Sequence, residues 1–512
     1  MDANLEALGS GSPGRAARAG LWVGPLLAGL LLFTPGLPLD PLQRRAAAVT
    51  ALVATWWLTE ALPIGITSLV PAVLLPLLGV LDGRSAATAY MNDLIFLFLG
   101  AFMLALGVER WGVHRRLALG VVGAVGAHPR RIVLGFMLAS ALLSMWLNNT
   151  ATTLMMLPIG VAVIEAVRGR RGSSSDDPFA MALLLGLAYS ASVGGVATPV
   201  GTAPNQVFLA RYAADFPELP PITFAQWMLA WVPLVVLFVP VGWLLLTRVF
   251  LKVEAEGEAG ADVIAAERRA LGRMRPAERR MALVFGITAL LWVTRADLPI
   301  GSVTIPGWHD LLGALVAPGV DLGPNMVTNA TVAIGMAVVC FLVPAGDGSG
   351  ARLLDWPSVM VLPWDVLLLL GGGFCIADGF KASGLDVLIG ELIGPSFGVL
   401  GPTLLVLCVV AAMSFLTEVT SNTATTQVLL PVLASAAVQA GIDPRTTMLP
   451  ATIAASCAFM LPVATPPNAV VFSSGRVPIH RMARVGFGVN LTLVVMITLI
   501  YQLWVRRILG IE

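Results

Sequence analysis

Apolar runs of about 20 residues, enough to cross a bilayer as a helix, recur along this chain, and the polar groups that interrupt them carry most of the information. Leu21–Leu39 is the first such run. Ala46–Leu81 holds two, divided at Glu60 and Pro63-Ile64-Gly65, where a turn or break is expected. Asp93–Gly107 follows, closed by Glu109, Arg110, His114, Arg115 and Arg116, a charged group that reads as an interface helix. Ile132–Val167 carries Asn148-Asn149-Thr150 near its middle, too polar to face lipid and flanked by arms short for full crossings. That pattern predicts a hairpin over 132–167 that enters and leaves on one side. The next run meets Gly194-Gly195 and then Thr198-Pro199-Val200-Gly201-Thr202-Ala203-Pro204-Asn205, so 179–212 is predicted as a broken helix; Trp227–Phe250 is a further span.

Residues 251–280 form the one long hydrophilic stretch, and beyond it the order repeats. Trp292–Pro306 loosely echoes Trp57–Pro71, and Asp365–Phe374 echoes Asp93–Phe102. Thr417–Pro431 (TEVTSNTATTQVLLP) echoes Trp146–Pro158 (WLNNTATTLMMLP), and Ala464-Thr465-Pro466-Pro467-Asn468 echoes Gly201-Thr202-Ala203-Pro204-Asn205. Four echoes in one order, about half the chain apart, define a repeat. The second half then predicts a hairpin with its tip at 421–423 and a broken helix over 446–475. Five crossings plus a non-crossing hairpin per half insert the copies upside down relative to each other, a transporter signature. The expected fold is therefore an all-α polytopic membrane protein of about eleven transmembrane helices plus two re-entrant helical hairpins in two inverted-topology repeats. Its organisation is an N-terminal cytoplasmic segment (1–20), the first span and N-terminal repeat (21–250), a cytoplasmic linker (251–280) and the C-terminal repeat (281–512).

Composition agrees and closes other routes. The chain is 57% hydrophobic and 12% charged, against roughly 25% charged in soluble domains. A net charge of +1 gives no argument for nucleic acid. Cys340, Cys375, Cys408 and Cys457 stand singly in apolar runs and read as core thiols, and the four histidines sit at the edges of runs without a nucleophile or metal partner. An enzyme is not expected. The arginines of the linker, with Arg15 and Arg18, put the N-terminus and linker in the cytoplasm.

Where a helix breaks at membrane depth, the N-terminus of the following half presents unpaired N–H groups and about half a positive charge, which suits an anion; unwound carbonyls suit a hard cation such as Na⁺. Hydroxyls of Thr150 and Thr423 and amides of Asn149 and Asn422 add neutral donors and acceptors, with no Lys or Arg in either triplet region. Glu418 and Asp378 are intramembrane acids, read either as ion or proton handlers or as helix caps and contacts.

These residues resemble the divalent anion/Na⁺ symporter family, the INDY-like dicarboxylate transporters. The match rests on Ser421-Asn422-Thr423, its partner Asn148-Asn149-Thr150, and Ala455–Val471 (ASCAFMLPVATPPNAVV), and covers nearly the whole chain from Leu21. The resemblance implies Na⁺-coupled carriage of di- or tricarboxylates, succinate-like C4 acids foremost, by an elevator-type homodimer with a scaffold and a transport domain. It implies a bacterial inner (plasma) membrane setting. It also implies Na⁺ sites at Ser144, Asn148, Asn149 and the Gly201 carbonyl, and at Thr417, Ser421, Asn422 and the Ala464 carbonyl. The dicarboxylate would meet Asn149, Thr150, Thr202, Asn422, Thr423, Thr465 and Pro466. Two positions depart from the family pattern: Asn148 stands where Ser is usual and Ala203 where a second proline is usual. An amide NH₂ cannot ligate a cation, and the resemblance extends to sodium-independent exchangers, so a Na⁺-independent dicarboxylate exchanger is one alternative and a sulfate/Na⁺ symporter another.

Overall fold

A computed structural model describes residues 15–126, 128–168, 177–253, 260–300, 303–310 and 326–511. Residues 1–14 of the N-terminal segment, 169–176 of the connection after the first hairpin, and the linker acids Glu254, Glu256 and Glu258 lie outside them, as do 301–302 of the Trp292–Pro306 echo.

The first helix, Arg15–Phe33, ends earlier than the apolar run, because Pro35 and a left-handed Gly36 stop it. Asp40 then opens Pro41–Thr59 through a capping box with Gln43, and Glu60 closes it in the left-handed conformation where the turn was expected. Arg44, a charge inside this helix, is satisfied by the carbonyls of Thr34, Leu37 and Leu39. The following span is cut into Ile64–Thr67 and Val70–Leu77.

Asp93 and Asp365, equivalent in the repeat, both stand in the first turns of their helices, Asp93–Arg110 and Trp364–Ser383, where a carboxylate complements the helix dipole. The charged group after the first of these forms Val113–Val125. Its Arg115 and Arg116 pair with Glu267 and Glu278 of the linker region, which is itself partly helical (Gly260–Ala270). The first hairpin runs Pro129–Ser144, a turn, then Asn149–Arg168. Its second arm is as long as a full span, longer than the pattern implied, because Thr150 to Thr153 continue the helix rather than interrupting it.

Among the described residues seven helical stretches are long and apolar enough to cross a bilayer unaided, and Ile64–Leu77, Asn329–Leu342 and Pro402–Leu416 are shorter apolar helices. The eleven expected crossings are thus not eleven unbroken rods. One two-stranded antiparallel ribbon, Leu298–Ile300 with Val303–Ile305, is a local exception to the all-helical plan.

The chain forms two compact units, each drawing segments from both halves. The first comprises residues up to Ile95, Pro363–Phe397 and Gln427–Gly441. Within it Ser68 accepts from Trp57 Nε1 at 3.0 Å and its carbonyl accepts from the Tyr90 hydroxyl at 2.5 Å. Gly371 and Gly372 leave the space that Tyr90 and Ser68 fill. Asp378, half-buried, belongs to this unit.

The second unit holds Phe96–Leu362, Gly398–Thr426 and Ile442–Glu512, and so contains Glu418 and every residue of the expected sodium and dicarboxylate sets. Its centre is Pro178–Gly194, buried at every position from Phe179 to Gly194. Gly194 packs directly on the backbone of Ala141 in the first hairpin, the close approach that small residues allow between membrane helices.

Candidate functional site

The first break begins where Pro178–Gly194 gives way to a 3₁₀ turn, Gly195–Ala197, and resumes as Ala203–Asp215 after five unwound residues. The proline and glycines of this stretch cannot continue the α-helical hydrogen-bond ladder. Opposite it lies the start of the hairpin's second arm. Ser144 Oγ donates to Asn149 Oδ1 at 2.5 Å. A methyl group on Gly195 would lie 2.5 Å from Asn149 Oδ1 and 3.1 Å from the Gly201 carbonyl oxygen. Two of the expected ligands of the first cation site, Asn149 and Gly201, therefore meet at Gly195, where only a glycine leaves room for them, and Ser144 joins them through its bond to Asn149. Asn148 stands apart from them: it is exposed, and its Oδ1 caps the helix by accepting from the Thr150 amide at 2.8 Å.

The second break separates Arg445–Ala455 from Pro466–Phe472. Thr417 is buried and donates to the Ser414 carbonyl at 3.1 Å, while Ser414 Oγ donates to the Cys457 carbonyl at 2.9 Å, tying hairpin to break. Ser421 Oγ accepts from Ala424 N at 3.5 Å at the start of Asn422–Gln439. The half-buried Asn422 presents an Oδ1 that is shielded from solvent and accepts no hydrogen bond, an oxygen of the kind a hard cation takes. Thr423 is half-buried beside it, and Ala464 is buried.

Thr202 and Thr465 precede the resumed helices with nearly the same backbone, φ −147° ψ 148° and φ −140° ψ 148°. Thr465 Oγ1 is engaged by the Asn468 amide at 3.3 Å, with Pro466 at the first helical position. Thr202 makes no such cap and instead lies 3.5 Å from Ser456 Oγ, which joins the two breaks. Ser456 was not foreseen, because its partner is 254 residues away.

Glu418 was foreseen as an ion or proton handler or as a contact, and its surroundings favour the second. It is 3% exposed and accepts from Phe459 N (2.7 Å), Met460 N (3.0 Å), Leu461 N (3.1 Å) and Asn490 Nδ2 (2.6 Å). Its carboxyl group is seated in the unwound backbone of the second break. Met145 holds the matching place in the first hairpin, and its carbonyl accepts from the Thr198 hydroxyl. Tyr189, at the centre of the unit, donates to the Phe459 carbonyl at 2.9 Å and so ties the first broken helix to the second. Elsewhere, among the described residues no cluster of three or more His, Cys, Asp or Glu side chains is placed to hold a metal ion.

The sequence model of the sodium:sulfate symporter transmembrane region matches residues 26–511. The chain belongs to that family. It is 39% identical over 504 residues to the sodium-dependent dicarboxylate transporter SdcS of Staphylococcus saprophyticus, covering 96% of this chain and 92% of the relative. It is 38% identical over 502 residues to SdcS of Staphylococcus aureus, with the same coverage. The crystal structure of the Alcanivorax borkumensis YdaH transporter shares the fold at a TM-score of 0.55 and 15% identity, covering 96% of this chain and 98% of that one. This family member is accordingly an integral membrane protein.

Proposed function

We propose that this protein is a secondary active transporter that carries C4-dicarboxylates across a bacterial plasma membrane, driven by Na⁺, with its N-terminus in the cytoplasm. The observation that carries the reading is the meeting of Asn149 Oδ1 and the Gly201 carbonyl at Gly195, with Ser144 Oγ bonded to Asn149 Oδ1. Neutral oxygens on a broken helix suit a hard cation, and the second break supplies a matching set in Thr417, Ser421, Asn422 and the Ala464 carbonyl. The close relatives named as sodium-dependent dicarboxylate transporters support the same ion and substrate class.

Sodium here is a co-transported ion rather than a resident cofactor. The dicarboxylate is assigned to Asn149, Thr150, Thr202, Asn422, Thr423, Thr465 and Pro466, where the helix N-termini at Asn149, Asn422 and Ala203 favour its charge. With Glu418 committed to the backbone and Asn148 to a helix cap, the bound cations supply the remaining positive charge. Binding of either ligand then favours the other, which is the basis of symport. A homodimer whose site-bearing unit moves as an elevator completes the proposal.

The test is succinate uptake into proteoliposomes with and without an inward Na⁺ gradient, with sulfate and citrate as competitors. Uptake that needs the gradient is expected. Uptake that ignores Na⁺ but needs internal dicarboxylate would replace the symporter with an exchanger, and competition by sulfate alone would change the substrate class. Asn422→Ala or Thr423→Ala is expected to abolish uptake in every case.

A further inference from the structure

Two buried asparagines outside the assigned ligand set occupy equivalent places at the two breaks. Asn205 Nδ2 donates to the carbonyls of Gly195 at 3.0 Å and Thr198 at 2.8 Å, ten and seven residues earlier. Asn468 Nδ2 donates to the carbonyls of Ala458 at 3.1 Å and Leu461 at 3.0 Å, again ten and seven residues earlier. Both side chains are 0% exposed.

The chemistry explains the coincidence. An unwound segment leaves carbonyls without their helical N–H partners, and at membrane depth no bulk water replaces them. An amide NH₂ carries two donors on one planar head. Reaching back from the resumed helix, it closes the unwound segment into a loop of fixed size. The carbonyls assigned to sodium, those of Gly201 and Ala464, each lie inside that loop, four residues before the asparagine.

We infer that Asn205 and Asn468 are positioning residues that hold the unwound carbonyls in place, so that each sets sodium affinity at its own break. The inference rests on the sodium reading above. Neither side chain belongs to the set assigned to the dicarboxylate. Loss of either amide therefore shifts the sodium dependence and leaves the dicarboxylate dependence at saturating sodium in place.

The experiment uses the full chain in proteoliposomes, with Asn205→Ala and Asn468→Ala. Each is expected to raise the half-saturating Na⁺ concentration about tenfold, the effect of losing two net hydrogen bonds. Sodium cooperativity is expected to fall, while the succinate KM at saturating Na⁺ stays within about twofold. Cys457, fully buried and next to the braced Ala458 carbonyl, provides a readout that does not depend on transport. N-ethylmaleimide should modify it about tenfold faster in Asn468→Ala than in the unsubstituted protein, and at the unsubstituted rate in Asn205→Ala.

Sodium-dependent uptake by the unsubstituted protein with unshifted variants overturns the inference alone, as does a succinate KM that moves as far as the sodium term. Uptake by the unsubstituted protein that ignores sodium overturns the coupling reading and this inference with it. If the alanine variants do not reach the membrane, Asn205→Ser and Asn468→Ser, which keep one donor, are expected to show smaller shifts in the same direction, and no shift overturns the inference.

Discussion

Replacing Glu418 tests whether its carboxylate is an anchor. Four donors converge on it, three of them consecutive backbone N–H groups of an unwound segment, and the side chain is 3% exposed. Glu418→Ala removes the acceptor and leaves these donors buried. At about 0.6 kcal/mol per interhelical hydrogen bond in membrane proteins, four contacts sum to about 2.4 kcal/mol. At the lower bound of about 1 kcal/mol for each buried donor left unpaired, the cost is about 4 kcal/mol. Glu418→Gln keeps one acceptor oxygen but turns an NH₂, which cannot accept, toward backbone N–H groups. About half the alanine loss is expected. The measurement is equilibrium unfolding in mixed micelles by titration with sodium dodecyl sulfate, with the order unsubstituted, Gln, Ala. An alanine cost below about 1 kcal/mol, or a glutamine variant as weak as alanine, would refute the anchor.

Gly195→Ala places a methyl group among Asn149 Oδ1 and the Gly201 carbonyl, so it should lower the apparent Na⁺ affinity at least tenfold, read as the Na⁺ dependence of uptake; an unchanged dependence would move the first cation site elsewhere. Thr198→Val removes the hydroxyl that reaches the Met145 carbonyl and is expected to cost about 0.5–1.5 kcal/mol in the same micelle titration; no loss would mean that this contact does not hold the hairpin. Asp355, outside the membrane spans, is held down to about 2 by the Ser358 hydroxyl and then by Arg110. Its folded pKa lies below the ordinary value of about 3.9, so its contribution is full above that value and is lost as pH falls through about 2. Because Asp355 is 43% exposed, Asp355→Asn should cost under about 1 kcal/mol, with no change in that cost between pH 8 and 5; a cost that varies across that range would refute the assignment.

The parts of the site built from neighbours in sequence were legible. A polar triplet in an apolar run, followed by a helix-competent stretch, gives a helix start at Asn149 and at Asn422, and Gly-Gly before Thr-Pro gives a break. The parts built across the fold were not. Glu418 meets partners 41 to 72 residues away, and Tyr189 meets Phe459 across 270. Nothing in a window of sequence distinguishes such an acid from an ion handler. Asn205 and Asn468 were visible in the echoed motif, but their role depends on carbonyls freed by the break, which only the backbone path reveals. Helix length was misjudged in the first hairpin, where the arm after the polar triplet was expected to be short, yet Asn149–Arg168 reaches full-span length and runs through Pro158. Within a membrane, neighbouring helices can satisfy what a proline frees.

The two breaks share one brace but differ in how their hairpins hold them, and the difference has a measurable consequence. At the first, a single neutral hydroxyl of Thr198 reaches the Met145 carbonyl, worth about 0.6–1.5 kcal/mol. At the second, Glu418 gathers three backbone donors of the segment, from Phe459 to Leu461, worth about 1.8–3 kcal/mol at the same rates. Local opening of each segment must break these contacts, so the first break opens more cheaply by about 1.4 kcal/mol, a factor of roughly 10 in the open population. Hydrogen exchange on the protein in nanodiscs without sodium should therefore be faster at Val196–Thr198 than at Phe459–Leu461. Glu418→Gln should narrow the gap by accelerating the second segment alone. Equal exchange in the unsubstituted protein, or acceleration of both segments together in the variant, would show that the repeats open as one and that the carboxylate does not set the difference.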